Sequence, residues 1–198
     1  YVFDGKKTTP YTESDTPHPL SVYGCTKYDG EKAVLAESEN HLVIRVSWLF
    51  GEGPHPNATP DWAVKYAASS EGVKIVTDKV GAPTDATDAA NFIIDLAFHP
   101  DAHGIVHLNG SESCTWQEWG QLAVDAAAEA GVDLCTEHLG NAKLDDFFGA
   151  PEKATRPSYT VMSNERLESL CGRTPQGFRE ATVEYVRDYV VPRVKESE

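Results

Sequence analysis

Short apolar runs alternate along this chain with segments long enough for helices, and that alternation limits the folds open to it. "HLVIRVSW", "VKIVT" and "GIVHL" pack β-branched residues into stretches of strand length, and "YVF" at the start reads the same way. Residues 4–20, with Gly5, Pro10, Pro17 and Pro19, have loop composition. A helix is predicted over 21–38, where Val22, Cys25, Ala33, Val34 and Ala36 recur about one turn apart. Another is predicted over 60–70, with Pro60 early in it. "GAPTDATDAANFIIDLAFH" reads as a turn leading into an amphipathic helix. An alanine-rich helix is predicted over 115–130, where Thr115 as cap and Glu118 three positions on form a capping box. Two further helices fit 163–171 and 177–191. Strands separated by helices imply an α/β fold with a mainly parallel sheet covered on both faces. The helix-heavy second half, with an extra strand near 74–77, points to a smaller attached lobe.

With 198 residues the chain can bury a sizeable core, and with 31 acidic against 17 basic side chains its formal net charge is -14. That balance argues against non-specific nucleic-acid binding and against an anionic membrane surface. An anionic ligand must then be met by a few local cations or backbone amides. No apolar run approaches the roughly 20 residues that cross a bilayer. Cys25, Cys114, Cys135 and Cys171 lie far apart with no C-x-x-C pair, which predicts reduced thiols in a cytoplasmic protein. His103 and His107 have no carboxylate or cysteine at ligand spacing, so no metal site is predicted. The opening "YVFDG" carries no signal-peptide pattern and reads as the middle of a protein.

The chemistry rests first on "SVYGCTK". In a helix Tyr23 and Lys27 share a face, so a hydroxyl and an ammonium can serve one site. Bringing a phenol to neutrality as a proton donor takes about 4 kcal/mol, part of which a nearby lysine cation supplies. The bare spacing is equally that of a solvated helix face. Gly51-x-Gly53 is followed at once by Pro54 and Pro56, which argues against a helix-opening phosphate loop.

The order of "YVFDG", "TPYTESD", "PLSVYGCTK", "GEKAV", "RVSWLFG", "VGAPT", "GIVHLNG" and "RPSYTVM" resembles that in the extended short-chain dehydrogenase/reductases, and within them the dTDP-4-dehydrorhamnose reductase family. The resemblance runs over essentially the whole chain. It implies the later part of a Rossmann-type sheet in residues 1–51 and 81–108, and a small mixed substrate-binding lobe in 52–80 and 109–198. It further implies NADPH- or NADH-dependent reduction of a 4-keto nucleotide sugar, dTDP-4-dehydro-L-rhamnose first.

Carried over by motif, Tyr23 is implied as the acid that protonates the C4 carbonyl oxygen. Lys27 is implied to hold the nicotinamide ribose hydroxyls and lower the tyrosine pKa, which makes both residues cofactor contacts as well. Tyr1 and Trp48 are implied to border the sugar, Gly81, Ala82, Pro83 and Thr84 to form the turn where the chain returns from the substrate lobe, and Arg156 to lie near the nucleotide sugar. A nucleotide-sugar partner, no nucleic acid, no membrane and a possible homodimer complete the implied setting. The family's glycine-rich cofactor turn and its Ser/Thr before the first tyrosine would fall upstream of Tyr1, so the chain is read as the C-terminal two thirds of such a reductase. Bland readings stay open: Trp48 as a core cap, Arg156 as a structural ion pair, Cys25 as a small buried residue, and Trp62, Trp116 and Trp119 as packing. Rival functions are a nucleotide-sugar epimerase or dehydratase and a non-catalytic regulator similar to the methionine adenosyltransferase regulatory subunit.

Overall fold

The computed structural model describes residues 1–53, 57–150 and 153–196; the Pro54 and Pro56 of the phosphate-loop reading lie outside the described residues. After an irregular segment come α1 (Val22–Glu37), β1 (Leu42–Val46), β2 (Leu49–Phe50), α2 (Thr59–Ser69), β3 (Lys74–Val76), β4 (Val80–Gly81) and β5 (Thr84–Asp85). The chain continues through α3 (Ala86–Ala97), β6 (Gly104–Leu108), β7 (Cys114–Thr115), α4 (Trp116–Glu129), β8 (Gly140–Ala142), α5 (Leu144–Phe148) and α6 (Glu165–Cys171). It closes with α7 (Phe178–Tyr185), a π turn (Val186–Val190) and α8 (Val191–Lys195).

The strands pair two by two. β1 lies parallel to β6, β2 to β5 and β3 to β8, while β4 and β7 are antiparallel. The predominance of parallel pairs joined through helices makes this an α/β fold. Side chains alternate across β1, so Leu42 and Ile44 join the cluster of Ala89, Phe92 and Leu96 from α3, Val106 and Leu108 from β6 and Leu167 from α6. Arg45 faces the other way, toward α1. A larger cluster gathers Phe50, Val64, Trp119, Ala123, Phe178, Tyr185 and Val186 around α4.

Two expectations change. "YVF" forms no strand; Val2 and Phe3 are instead buried in a cluster with Tyr11 and Met162, where Phe3 stacks on Tyr11 with ring centroids 4.2 Å apart. The apolar spacing of α1 does not mark a buried face, because Val22 is 82 % exposed and Cys25, Ala33, Val34 and Ala36 are exposed too. Asp29 and Lys32, paired at 2.8 Å, break that stripe, and Gly24 is the only buried residue of the helix.

Candidate active site

α1 presents Tyr23 and Lys27 on one exposed side, with the lysine Nζ 5.4 Å from the phenol ring centroid. The Ser21 hydroxyl caps the helix by accepting from the Gly24 amide at 3.2 Å. Gly24 is required here by close approach, since a Cβ would stand 2.4 Å from the Tyr1 carbonyl oxygen. That approach brings the Tyr23 ring edge-on to Tyr1, centroids 5.6 Å apart. Two turns after Tyr23, Glu31 accepts from Arg45 Nε at 2.9 Å and Nη2 at 2.7 Å, a bidentate pair almost shut off from water. Arg45 Nη1 also meets His107 Nε2 at 3.2 Å, and His107 Nδ1 lies 3.1 Å from the Tyr11 carbonyl. Burial first, with Arg45 adding to it against the pull of Glu13, pushes His107 down to about 4. A neutral ring with Nδ1–H donating and Nε2 accepting satisfies both contacts.

Trp48 follows β1 with φ 43, a left-handed backbone that costs a tryptophan about 1 kcal/mol. Its surroundings hold it there. The indole stacks on Trp119 at 5.8 Å, and the Trp48 carbonyl accepts from the Thr84 amide at 3.2 Å. A Cβ on Gly81 would come within 2.3 Å of the indole, so the glycine of "GAPT" makes room for Trp48. The Thr84 hydroxyl donates to the Ser47 carbonyl at 2.6 Å and accepts from the Gly110 amide at 3.1 Å. Gly81, Ala82, Pro83 and Thr84 are all buried, and they brace the strand end that carries Trp48.

Tyr1, Tyr23, Lys27 and Trp48 line one hollow of about 480 Å³, with Val46 and Leu49 as exposed apolar walls. Arg156 is not among the lining residues; its Nη1 donates to the Tyr1 hydroxyl at 3.2 Å, and its guanidinium lies 4.2 Å over the Phe148 ring. Sequence reading missed Lys79. It is fully buried, its Nζ donates to the Pro157 carbonyl, and it sits 5.3 Å from the Tyr1 ring centroid and 5.4 Å from that of Trp116. A lysine in a turn gives no sequence signal of burial. Arg45 and Glu31 each stood inside a quoted motif, yet their pairing across a helix and a strand shows only in three dimensions. Trp119 is core, with Nε1 donating to the Thr182 hydroxyl at 2.9 Å.

The fold is that of a Rossmann-like α/β protein with a tyrosine–lysine pair at one hollow. Residues 1–191 match the family described as RmlD substrate binding domain, and the chain belongs to it. It is 32% identical to the spore coat polysaccharide biosynthesis protein SpsK of Bacillus subtilis, over 95% of this chain and 62% of that protein. It is 31% identical to the dTDP-4-dehydrorhamnose reductase of Salmonella typhimurium, over 85% of this chain and 56% of that one. The chain thus covers less than two thirds of the length of these relatives. Among solved structures, dTDP-4-dehydrorhamnose reductase from Bacillus anthracis in complex with NADP superposes with a TM-score of 0.80 at 24% identity, covering 96% of this chain and 63% of that one. That likeness carries the fold. Among the described residues no helix is long and apolar enough to cross a membrane.

Proposed function

We propose that this chain contributes the proton-donating side and the sugar-binding wall of an NADPH- or NADH-dependent reductase acting on a 4-keto nucleotide sugar, dTDP-4-dehydro-L-rhamnose first. The observation that carries the reading is the convergence of Tyr23, Lys27, Tyr1 and Trp48 on one hollow. Membership of the family and the name of the Salmonella relative support it.

The residues fit a nicotinamide and its ribose. Val46 and Leu49, 41% and 48% exposed, offer an apolar edge, and among the described residues no carboxylate pairs with the Lys27 ammonium. NADPH, when bound, supplies a hydride to the C4 carbonyl carbon. The Tyr23 hydroxyl would give its proton to the carbonyl oxygen, whose new O–H bond takes the C–O π pair while the C–H bond takes the hydride's pair. Lys27 would hold the ribose hydroxyls and favour the phenolate that the transfer leaves behind. Tyr1 and Trp48 set aromatic faces against the deoxysugar, and Arg156 steadies the Tyr1 hydroxyl. In this reading residues 81–84 serve as the brace beneath Trp48 at the return from the substrate lobe. The division of labour is between residues 1–51 with 81–108, as the later part of a dinucleotide-binding domain, and 52–80 with 109–198 as the substrate lobe; within the latter, Leu167 of α6 packs on β6 and α3. The setting is cytoplasmic.

The test is turnover by the full-length protein. Given NADPH and dTDP-4-dehydro-L-rhamnose, it should oxidise the cofactor and yield dTDP-L-rhamnose in equal amounts. A product epimerised or dehydrated with no net cofactor oxidation would overturn the reading.

A further inference from the structure

Lys79 stands out in a chain whose formal net charge is -14. It is fully buried, and among the described residues no carboxylate pairs with it or with its neighbour Arg156. Taking an ammonium out of water costs several kcal/mol even after relaxation, and a methionine would fill the same gap without that cost. Backbone contacts already join the three segments around it. The Trp116 amide donates to the Lys79 carbonyl at 3.2 Å, Val80 N to Ser158 O at 2.7 Å and Thr160 N to Val80 O at 2.9 Å. The charge is therefore not needed merely to close the fold.

Its placement indicates a use. The ammonium touches the Pro157 carbonyl, next in the chain to Arg156, and the faces of Tyr1 and Trp116. Arg156 in turn reaches the Tyr1 hydroxyl. Arg156 and, at or below neutral pH, the Lys79 ammonium thus stand beside and behind one wall of the hollow with no carboxylate paired to either among the described residues, and such a field favours an anion, whose arrival in turn favours the charged lysine. Burial first, then Arg156, pushes Lys79 down to about 7, as befits an ammonium short of a counter-anion.

We propose that Lys79 is a positioning and specificity residue: it fixes the Arg156–Tyr1 contact from behind and, with Arg156, supplies the positive potential that selects a diphosphate-bearing ligand. This rests on the nucleotide-sugar reading and adds to the sugar contact of Tyr1 the part of the ligand, the diphosphate, that Lys79 and Arg156 select.

The experiment compares the parent chain with Lys79→Met, Arg156→Ala and the double variant, titrating dTDP by calorimetry and recording thermal unfolding. The parent binds dTDP. Lys79→Met melts at the same or a higher temperature, because a buried unpaired charge is gone, yet binds dTDP at least about tenfold more weakly. Adding Lys79→Met to Arg156→Ala costs less than Lys79→Met costs alone, since part of its effect acts through Arg156. Unchanged dTDP affinity in Lys79→Met, a loss of affinity that tracks a lower melting temperature, or fully additive losses would each overturn the proposal. A parent chain blind to dTDP would instead contradict the nucleotide-sugar reading itself, and the assignment with it.

Discussion

Two helices of this chain are held in opposite ways. α4 buries Trp119, Ala123, Val124, Ala126 and Ala127 and packs so closely on β3 that a Cβ on Gly120 would meet Ile75 Cδ1 at 2.8 Å. A capping box joins Thr115 and Glu118 at its start. α1 buries Gly24 alone; apart from half-buried Tyr28, which packs on the cluster of Val2, Phe3, Tyr11 and Met162, it is fixed by the Gly24 contact with Tyr1, the Ser21 cap and the Glu31–Arg45 pair. Apolar packing is spread over many atoms, whereas α1 depends on a few directional contacts. The helix that carries Tyr23 and Lys27 is thus the one most open to loss of position through a single polar change, while its aromatic partner Trp48 leans on the packed helix.

Breaking the packed side has the largest expected effect on stability. Trp119→Ala removes a buried indole that stacks on Trp48 and donates to Thr182, and it should lower unfolding free energy by about 3–5 kcal/mol in urea melts. On the polar side, Arg45→Met leaves Glu31 nearly buried without its partner and takes from His107 its donor. A loss of about 3 kcal/mol is expected, with hydrogen exchange accelerated in α1 and unchanged in α4.

The same network predicts an acid response. His107 moves from an unfolded value of 6.5 to about 4 in the fold, so between those values the unfolded chain binds the extra proton and stability rises with pH. Lowering the pH from 6.5 to 4 should cost up to about 3 kcal/mol from this residue. Urea melts across that range, repeated on His107→Asn, measure it; a variant with the same pH slope would contradict the assignment.

Legibility in the sequence followed the same contrast. α4, with its capping box, and α3 were readable because burial leaves a periodic trace and a cap leaves a residue pair. The two-residue strands β2, β4, β5 and β7 were not, since so short a ladder is created by the partner rather than by its own composition. The opening "YVF" has strand composition, yet Val2 and Phe3 are buried in a loop cluster and Tyr1 is exposed. At the site, the motif order supplied Tyr23, Lys27, Tyr1 and Trp48 as candidates, and all four line one hollow. Neither the left-handed backbone of Trp48 nor the burial of Lys79 left a mark on local sequence, because both are imposed by segments far away in the chain.

The smallest expected stability change belongs to the side chain proposed as the acid. Tyr23 is 57% exposed, and no hydrogen bond from its hydroxyl occurs among the described residues, so Tyr23→Phe should shift unfolding free energy by less than about 0.5 kcal/mol. Assayed in the full-length protein with dTDP-4-dehydro-L-rhamnose and NADPH, the same variant should lose at least about a hundredfold in kcat, the contribution of a positioned proton donor. A variant that stays folded and reduces the sugar at near-parental rates would contradict the assignment of Tyr23 as the acid.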